Sequence, residues 1–320
     1  PLYIAAEQGN TDLVRFLLSK GAQVDLVDRQ GHTPAICAMQ NNHRDIVEAL
    51  VANSANVTIH LAAYLGHLPR AKDLIDNGVD VNQSDDKTYT PLHYAAQQGQ
   101  TEIASLLIAR GAELGAMDRN GRTALHITAS NGHSDTVELL LAQGAEIDAR
   151  TEYGQTALQE AIDRDHFDAA NLLIAKGANV SVHSAARIGH LEKVKDLIDS
   201  GADLNTPEND WNHMTPLHWA CEGGHADVVA LLLAGGADAN PRNDLDQAPL
   251  HDIALRGWKD IAELLIAHGA DVNARARRGG YGDQSPLHWA AYGGDLAMVT
   301  LLLEHGADIN GRDEHGQSPL

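Results

Sequence analysis

Aromatic side chains are scarce in this sequence: Trp, Tyr and Phe make up 4% of its 320 residues. Contacts between its elements must therefore run through small and aliphatic side chains rather than through stacked rings. Cysteine is scarcer still. Cys37 and Cys221 are the only two, too few for a disulfide framework, and both are expected to be reduced packing residues. Basic residues number 23 against 44 acidic ones, a net charge of −21. That balance argues against nucleic acid or an anionic membrane surface as the partner. There is no apolar run of about 18 residues, so no membrane insertion is expected in this segment. Neither H-E-x-x-H nor paired C-x-x-C occurs, which leaves zinc without a ligand set. The glycine cluster GGYGD (279–283) is too short for a phosphate-cradling loop and lacks the lysine and helix that such a loop needs. No catalytic residue, cofactor site or metal site is expected.

What the chain does contain is repetition. The stretch TPLHYAAQQGQTEIASLLIARGAELGAMDRNGR (90–122) is followed by TALHITASNGH and then by TALQEAIDRDH, with Thr90, Thr123 and Thr156 spaced 33 residues apart. A fixed period of this size marks a stacked repeat array. Within one repeat, Thr90 is placed to cap a helix with its hydroxyl, and Pro91 stands at the first helical position, where its missing amide costs nothing. Leu92, Ala95 and Ala96 form a narrow apolar stripe, and Gly99 supplies the left-handed residue that follows many helix ends. A second helix carries Ile103, Leu106 and Leu107 and stops before Gly111. Asp118, Asn120 and Gly121 have the residue types of a tight turn. Helices this short are marginal alone, so each pair must bury its stripe on the next and the core runs along the array.

The words T-P-L-H-x-A-A-x-x-G and L-L-x-x-G-A resemble the ankyrin repeat family over the whole chain. The resemblance implies an all-α fold, an ankyrin repeat solenoid of stacked helix-turn-helix pairs with short β-hairpin fingers, about ten repeats in number. It also implies that His93, His126, His218, His251 and His288 bond the capping hydroxyl and a neighbouring backbone group, with His60 and His183 in the same slot. The cysteines, six repeats apart, are then too distant to bridge. The chain opens inside a repeat at PLYIAAEQG and closes inside one at GQSPL, so more sequence is expected on both sides. The expected location is cytoplasmic.

The period breaks at informative places. Ile36 to His60 and Gln159 to His183 are each 24 residues, shorter by the length of a finger. The stretches that follow, 56–82 and 179–205, match at 16 of 27 positions. We therefore expect a longer unit of four repeats: 1–56 ends a preceding block, 57–179 is one block, and 180–320 is another with the start of a further repeat. Two other fingers are lengthened, Thr206–Met214 and Ala274–Gln284. Thr88 and Asp246 stand where a finger glycine is usual, so those turns are expected to differ in shape. Repeat six, with Gln159 for His and Asp165 for Gly, is expected to be less regular, and Ala248 lacks the capping hydroxyl. Carboxylates such as Asp118, Asp203, Asp238, Asp271 and Asp308 recur at turn slots and read as solvated.

The family resemblance implies a non-enzymatic scaffold, a monomer that binds another protein on a concave surface of fingers and first helices. The candidate contact residues are Trp211, Glu222, Arg256, Arg277, Arg278, Tyr281 and Tyr292. Trp211 and Tyr281 lie in lengthened fingers with no core stripe to join, and Arg275, Arg277 and Arg278 form a basic cluster in an acidic chain. Trp219 and Trp289, in the slot after the framework histidine, are expected to pack. One alternative is an accessory domain of a larger enzyme or membrane protein. Another is a substrate for asparaginyl hydroxylation, since Asn82, Asn205, Asn273 and Asn310 resemble the D-V-N type of site; their structural role would be a hydrogen-bonding turn.

Overall fold

The structure is a computed structural model. It describes residues 1–208, 212–278 and 281–319, and of Arg277, Arg278 and Tyr281 it describes the backbone alone. Twenty helices alternate in two kinds among the described residues. Each pair has a shorter first helix, such as Pro91–Gln97, and a nine-residue second helix, such as Thr101–Ala109. The chain divides into two compact units, Pro1–Asn179 and Val180–Leu320.

In each unit the first helices pack on one another in chain order, and so do most of the second helices. Burial follows the stripe: Leu92, Ala95, Ala96, Ile103 and Leu107 are all buried. Alanine at two adjacent slots keeps the first helices thin enough for close approach. In the second unit the same slots are held by Ala185 and Ala186, Ala220 and Cys221, and Ile253 and Ala254, all in one core. Both cysteines are buried and unbridged.

The finger turns are built on one device. The side-chain oxygen of Asp118 accepts from the amides of Asn120 (2.8 Å) and Arg122 (2.9 Å). The turn then closes through Gly121, at φ +74°, whose amide donates to the Asp118 carbonyl (3.0 Å). Asp28, Asp85, Asn243 and Asp313 do the same in their fingers. Among the described residues only the lengthened finger forms a ladder, an antiparallel pair of Ala276–Arg278 with Tyr281–Gln284.

This device corrects the expectation for Thr88 and Asp246. Their turns do not differ: both residues adopt the left-handed conformation (φ 63° and 55°), and their amides donate to Asp85 and Asn243 as glycine's would. The anchoring side chain over-determines the turn, so the non-glycine residue is forced into it at a cost of about 1–2 kcal/mol. Replacing Thr88, a β-branched residue at positive φ, with Gly is expected to raise stability by about 1 kcal/mol, after glycine's own entropy is subtracted. A urea midpoint that stays put or falls would refute it.

Repeat six is likewise more regular than expected. Gln159 Oε1 accepts from the Thr156 amide at 2.9 Å, taking the role of a histidine Nδ1. Asp165 adopts φ 58° in place of glycine, and the helix Ala157–Asp163 has the same seven residues as its neighbours. Asp118 and Asp313 are buried rather than solvated. Burial alone would raise the Asp118 carboxyl, but the amides of Arg122 and Asn120 and the Arg122 guanidinium hold it below the usual range.

Candidate partner-binding surface

The histidines come first, because they are the most numerous groups able to do chemistry. His93 Nδ1 accepts from the Thr90 amide (3.0 Å), with the Thr90 hydroxyl at 2.9 Å, and its Nε2–H donates to the Arg122 carbonyl (3.3 Å). His126, His218 and His288 repeat the arrangement onto Gln155, Gln247 and Gln317. Two donors face Nδ1 and one acceptor faces Nε2, so the neutral ring with its proton on Nε2 is the form that fits. His251 keeps both contacts, to the Ala248 amide and the Ala274 carbonyl, although Ala248 has no hydroxyl. Burial pushes His60, His93 and His126 below the ordinary imidazole range, and His218 and His251 down to about 4.

His60 and His183 depart from the expected slot. Their helices are capped by Thr58 and Ser181 through the amides of Leu61 and Ser184, so each ring stands one residue nearer the cap. Their Nε2 atoms donate to Gln83 and Thr206 instead. A second set points the other way along the chain. His43, His133 and His225 donate from Nε2 to the carbonyls of Glu7, Gln97 and Arg187, at the end of the preceding first helix (3.1 Å each). The rings are therefore staples between repeats. Among the described residues no group of three His, Cys, Asp or Glu is placed to hold a metal ion.

The candidate contact residues of the second unit divide. Glu222, Arg256 and Tyr292 close the successive first helices Pro216–Glu222, Pro249–Arg256 and Pro286–Gly293, or lie in their last turn. All three are exposed, Tyr292 by 75%. The Arg256 guanidinium lies 5.1 Å from the Trp258 ring centre, a cation–π contact that holds it over the helix end. Trp211 lies outside the described residues, as do the side chains of Arg277, Arg278 and Tyr281. Arg275 does not contribute to an open basic cluster: its Nη1 donates to the carbonyls of Asp283 (2.7 Å) and Arg312 (3.1 Å), bracing two fingers. Trp289 is buried with its ring edge-on to His251. Trp219 is half-buried; its Nε1 donates to Glu208 (3.0 Å) and Arg187 stacks above it at 4.8 Å.

Three of the asparagines bridge repeats. Asn82 accepts from the Glu113 amide and donates to the Gly111 carbonyl; Asn205 and Asn273 do the same to Asp238 and Gly236 and to Asp308 and Gly306. Asn310 donates its amide to Asp308.

The first unit holds a cleft that the sequence pattern does not announce. It measures about 530 Å³ and is lined by Asn120, Arg122, Thr151, Tyr153, Gln155, Glu160, Asp163 and Arg164. Tyr153 is a finger-tip residue, 78% exposed, whereas Glu160 is only 8% exposed. Burial raises its carboxyl above the usual range, against the pull of the Arg122 and Arg164 charges and the Ser130 hydroxyl. Arg122 is already engaged, paired with Asp118 at 2.8 Å and donating to the Tyr89 hydroxyl. One signal of the cleft does stand in the sequence: Tyr153 is an aromatic at a finger tip with no stripe to join.

Among the described residues no helix is long and apolar enough to cross a membrane. The chain is 44% identical over 57 residues to mouse (Mus musculus) ankyrin repeat domain-containing protein 40, covering 18% of this chain and 15% of that protein. It is 33% identical over 101 residues to the mouse B-cell lymphoma 3 protein homolog, covering 28% and 22%. It is 41% identical over 64 residues to mouse protein phosphatase 1 regulatory subunit 27, covering 20% and 40%. The matches thus span less than half the length of each of these relatives. Family models described as ankyrin repeats match residues 1–59, 59–151, 110–184 and 182–276, and then 250–303 and 287–320. With the helix pairs, capped starts and stapling histidines in place along both units, the chain belongs to the ankyrin repeat family.

Proposed function

We propose that the chain is a non-enzymatic scaffold whose second unit binds a partner protein along residues 206–292. Ankyrin repeats generally serve as protein–protein interaction modules. The observation that carries the reading is Tyr292, a large aromatic left 75% exposed on the last turn of a first helix. Exposed aromatics and arginines supply most binding hot spots, and Arg256 stands one repeat earlier on a helix end. A preformed rigid face lowers the ordering cost of association. The hairpin arginines, Arg277 and Arg278, would steer an acidic or mixed segment of the partner and set the on-rate, while the aromatics would set the off-rate.

The test is affinity capture with the full chain followed by the same capture with the Tyr292→Ala and Arg256→Ala double variant. Loss of a captured protein, equivalent to about 2 kcal/mol or more of binding energy, is expected. Equal capture by a double variant that unfolds at the wild-type urea concentration would overturn the assignment.

A further inference from the structure

The cleft in the first unit carries a second inference, one that rests on the scaffold reading but concerns a different surface. Three features of it point to a cationic occupant. Glu160 is a carboxylate more than nine-tenths buried that lines an open cleft, and among the described residues no cation stands within ion-pair distance of it. The Ser130 hydroxyl bonds it and Arg122 and Arg164 act on it from beyond that distance, but a buried carboxylate with no direct ion pair is costly to keep and favours a ligand that supplies one. Asp163 adds a second carboxylate, oriented by the Gln155 amide at 3.2 Å. Tyr153 offers an exposed ring face at the cleft, the surface on which a guanidinium or ammonium group is attracted by the ring quadrupole.

The cations already lining the cleft do not cancel this. Arg122 is neutralised locally by Asp118, whose side chain is 1% exposed. The other charged groups on the lining are Arg164 and the two carboxylates. The whole chain carries a net charge of −21, so the long-range field draws a basic segment in rather than repelling it. Asn120, Thr151 and Gln155 supply neutral hydrogen-bonding groups around the opening, suited to the backbone of an extended peptide.

We propose that this cleft receives a lysine or arginine side chain from a basic segment of a partner protein, its cation against the Glu160 carboxylate and its stem along Tyr153. Arg164, a cation on the same lining, then acts as a selectivity element that weakens the hold and rejects segments with adjacent positive charges.

Random peptides displayed on phage and selected on the full chain test it. The expected result is enrichment of peptides with a fixed basic position. A fluorescently labelled member should bind Glu160→Gln and Tyr153→Ala about tenfold or more weakly than wild type. Arg164→Gln should bind it several-fold more tightly, because removing a like charge favours a cation. An anionic occupant reverses both signs, weakening on Arg164→Gln and strengthening on Glu160→Gln, and overturns the proposal. So does selection that yields no fixed basic position. Glu160→Gln preserves shape and removes a buried charge, so its urea midpoint should not fall, which separates lost binding from lost folding. The Tyr292→Ala and Arg256→Ala double variant should bind the selected peptide as wild type does; failure of the cleft therefore leaves the second-unit surface untouched, and the reverse.

Discussion

Lowering the pH from about 7 to about 5 is expected to remove about 4 kcal/mol from the stability of the 180–320 unit. The cause is two rings held neutral. His218 and His251 are drawn down to about 4 by burial from an ordinary 6.5. Above 6.5 both folded and unfolded chains carry neutral imidazoles, and nothing is lost. As the pH falls through 6.5 the unfolded chain takes up protons that the folded chain refuses, and the loss is complete below about 4. At about pH 5 each ring has cost the fold about 2 kcal/mol. A protonated ring would also turn an Nδ1–H toward the amides of Thr215 or Ala248, which donate to it now. All four tryptophans lie in this unit's sequence, so urea unfolding followed by tryptophan emission reports on it within the intact chain. Gln159 supplies the control, since it holds the same slot without titrating. The His218→Gln and His251→Gln double variant should be less stable at neutral pH and far less sensitive to acid. A double variant whose pH profile parallels wild type would refute the assignment.

Replacing Gly121 with Ala is expected to cost the first unit about 3 kcal/mol, against about 1 kcal/mol for the same change at Gly154. Both residues occupy the finger turn at nearly the same φ, +74° and +77°, so the conformational penalty is common to both. They differ in what a new methyl group meets. At Gly121 it would lie 2.6 Å from the backbone nitrogen of Glu152, in the next finger. At Gly154 nothing stands within 4 Å. The Glu152 amide donates to the Asn120 carbonyl at 3.0 Å, so the methyl group would push apart neighbouring fingers that are joined by this bond. Urea midpoints by far-UV circular dichroism measure the difference. Equal losses at the two glycines would show that backbone conformation alone sets the requirement.

The elements most legible in the sequence are those fixed by neighbouring residues. Thr90, Pro91 and His93 act within one helical turn, and Leu92, Ala95 and Ala96 mark the buried face by spacing alone. Composition misleads where an anchor lies several residues away. Thr88 and Asp246 look like broken turns, but Asp85 and Asn243 hold the amides on both sides and impose the usual shape. The arginine cluster is misread for a related reason: nothing local shows that Arg275 spans to the carbonyls of Asp283 and Arg312. The cleft is hidden because its defining residue is Glu160, in a slot that Tyr94 and Ile127 fill with apolar packing. A carboxylate there reads as a surface variation until burial by neighbouring repeats makes it a desolvated charge with no direct ion pair. Tyr153 is visible, but its finger is of ordinary length and so does not stand out.

The two families of histidine staple face in opposite directions, and their geometry makes a repeat an interchangeable module. His93 hands its proton forward to the residue before the next capping threonine, while the ring after the helix-ending glycine reaches back to a carbonyl of the previous first helix. Excise residues 123–155, and Arg122 is followed by Thr156, a capping threonine like the one lost. His93 keeps the Arg122 carbonyl. His166, which now packs over Gly132, would come to lie over Gly99, where His133 had been. The histidine bonds that crossed the cut thus have chemically equivalent replacements, so a whole repeat can be dropped or copied with its staples kept, although pair bonds such as Thr101 to Thr136 and Lys176 to Glu138 would be lost. Such a chain can change the length of its binding face in evolution without renegotiating its core.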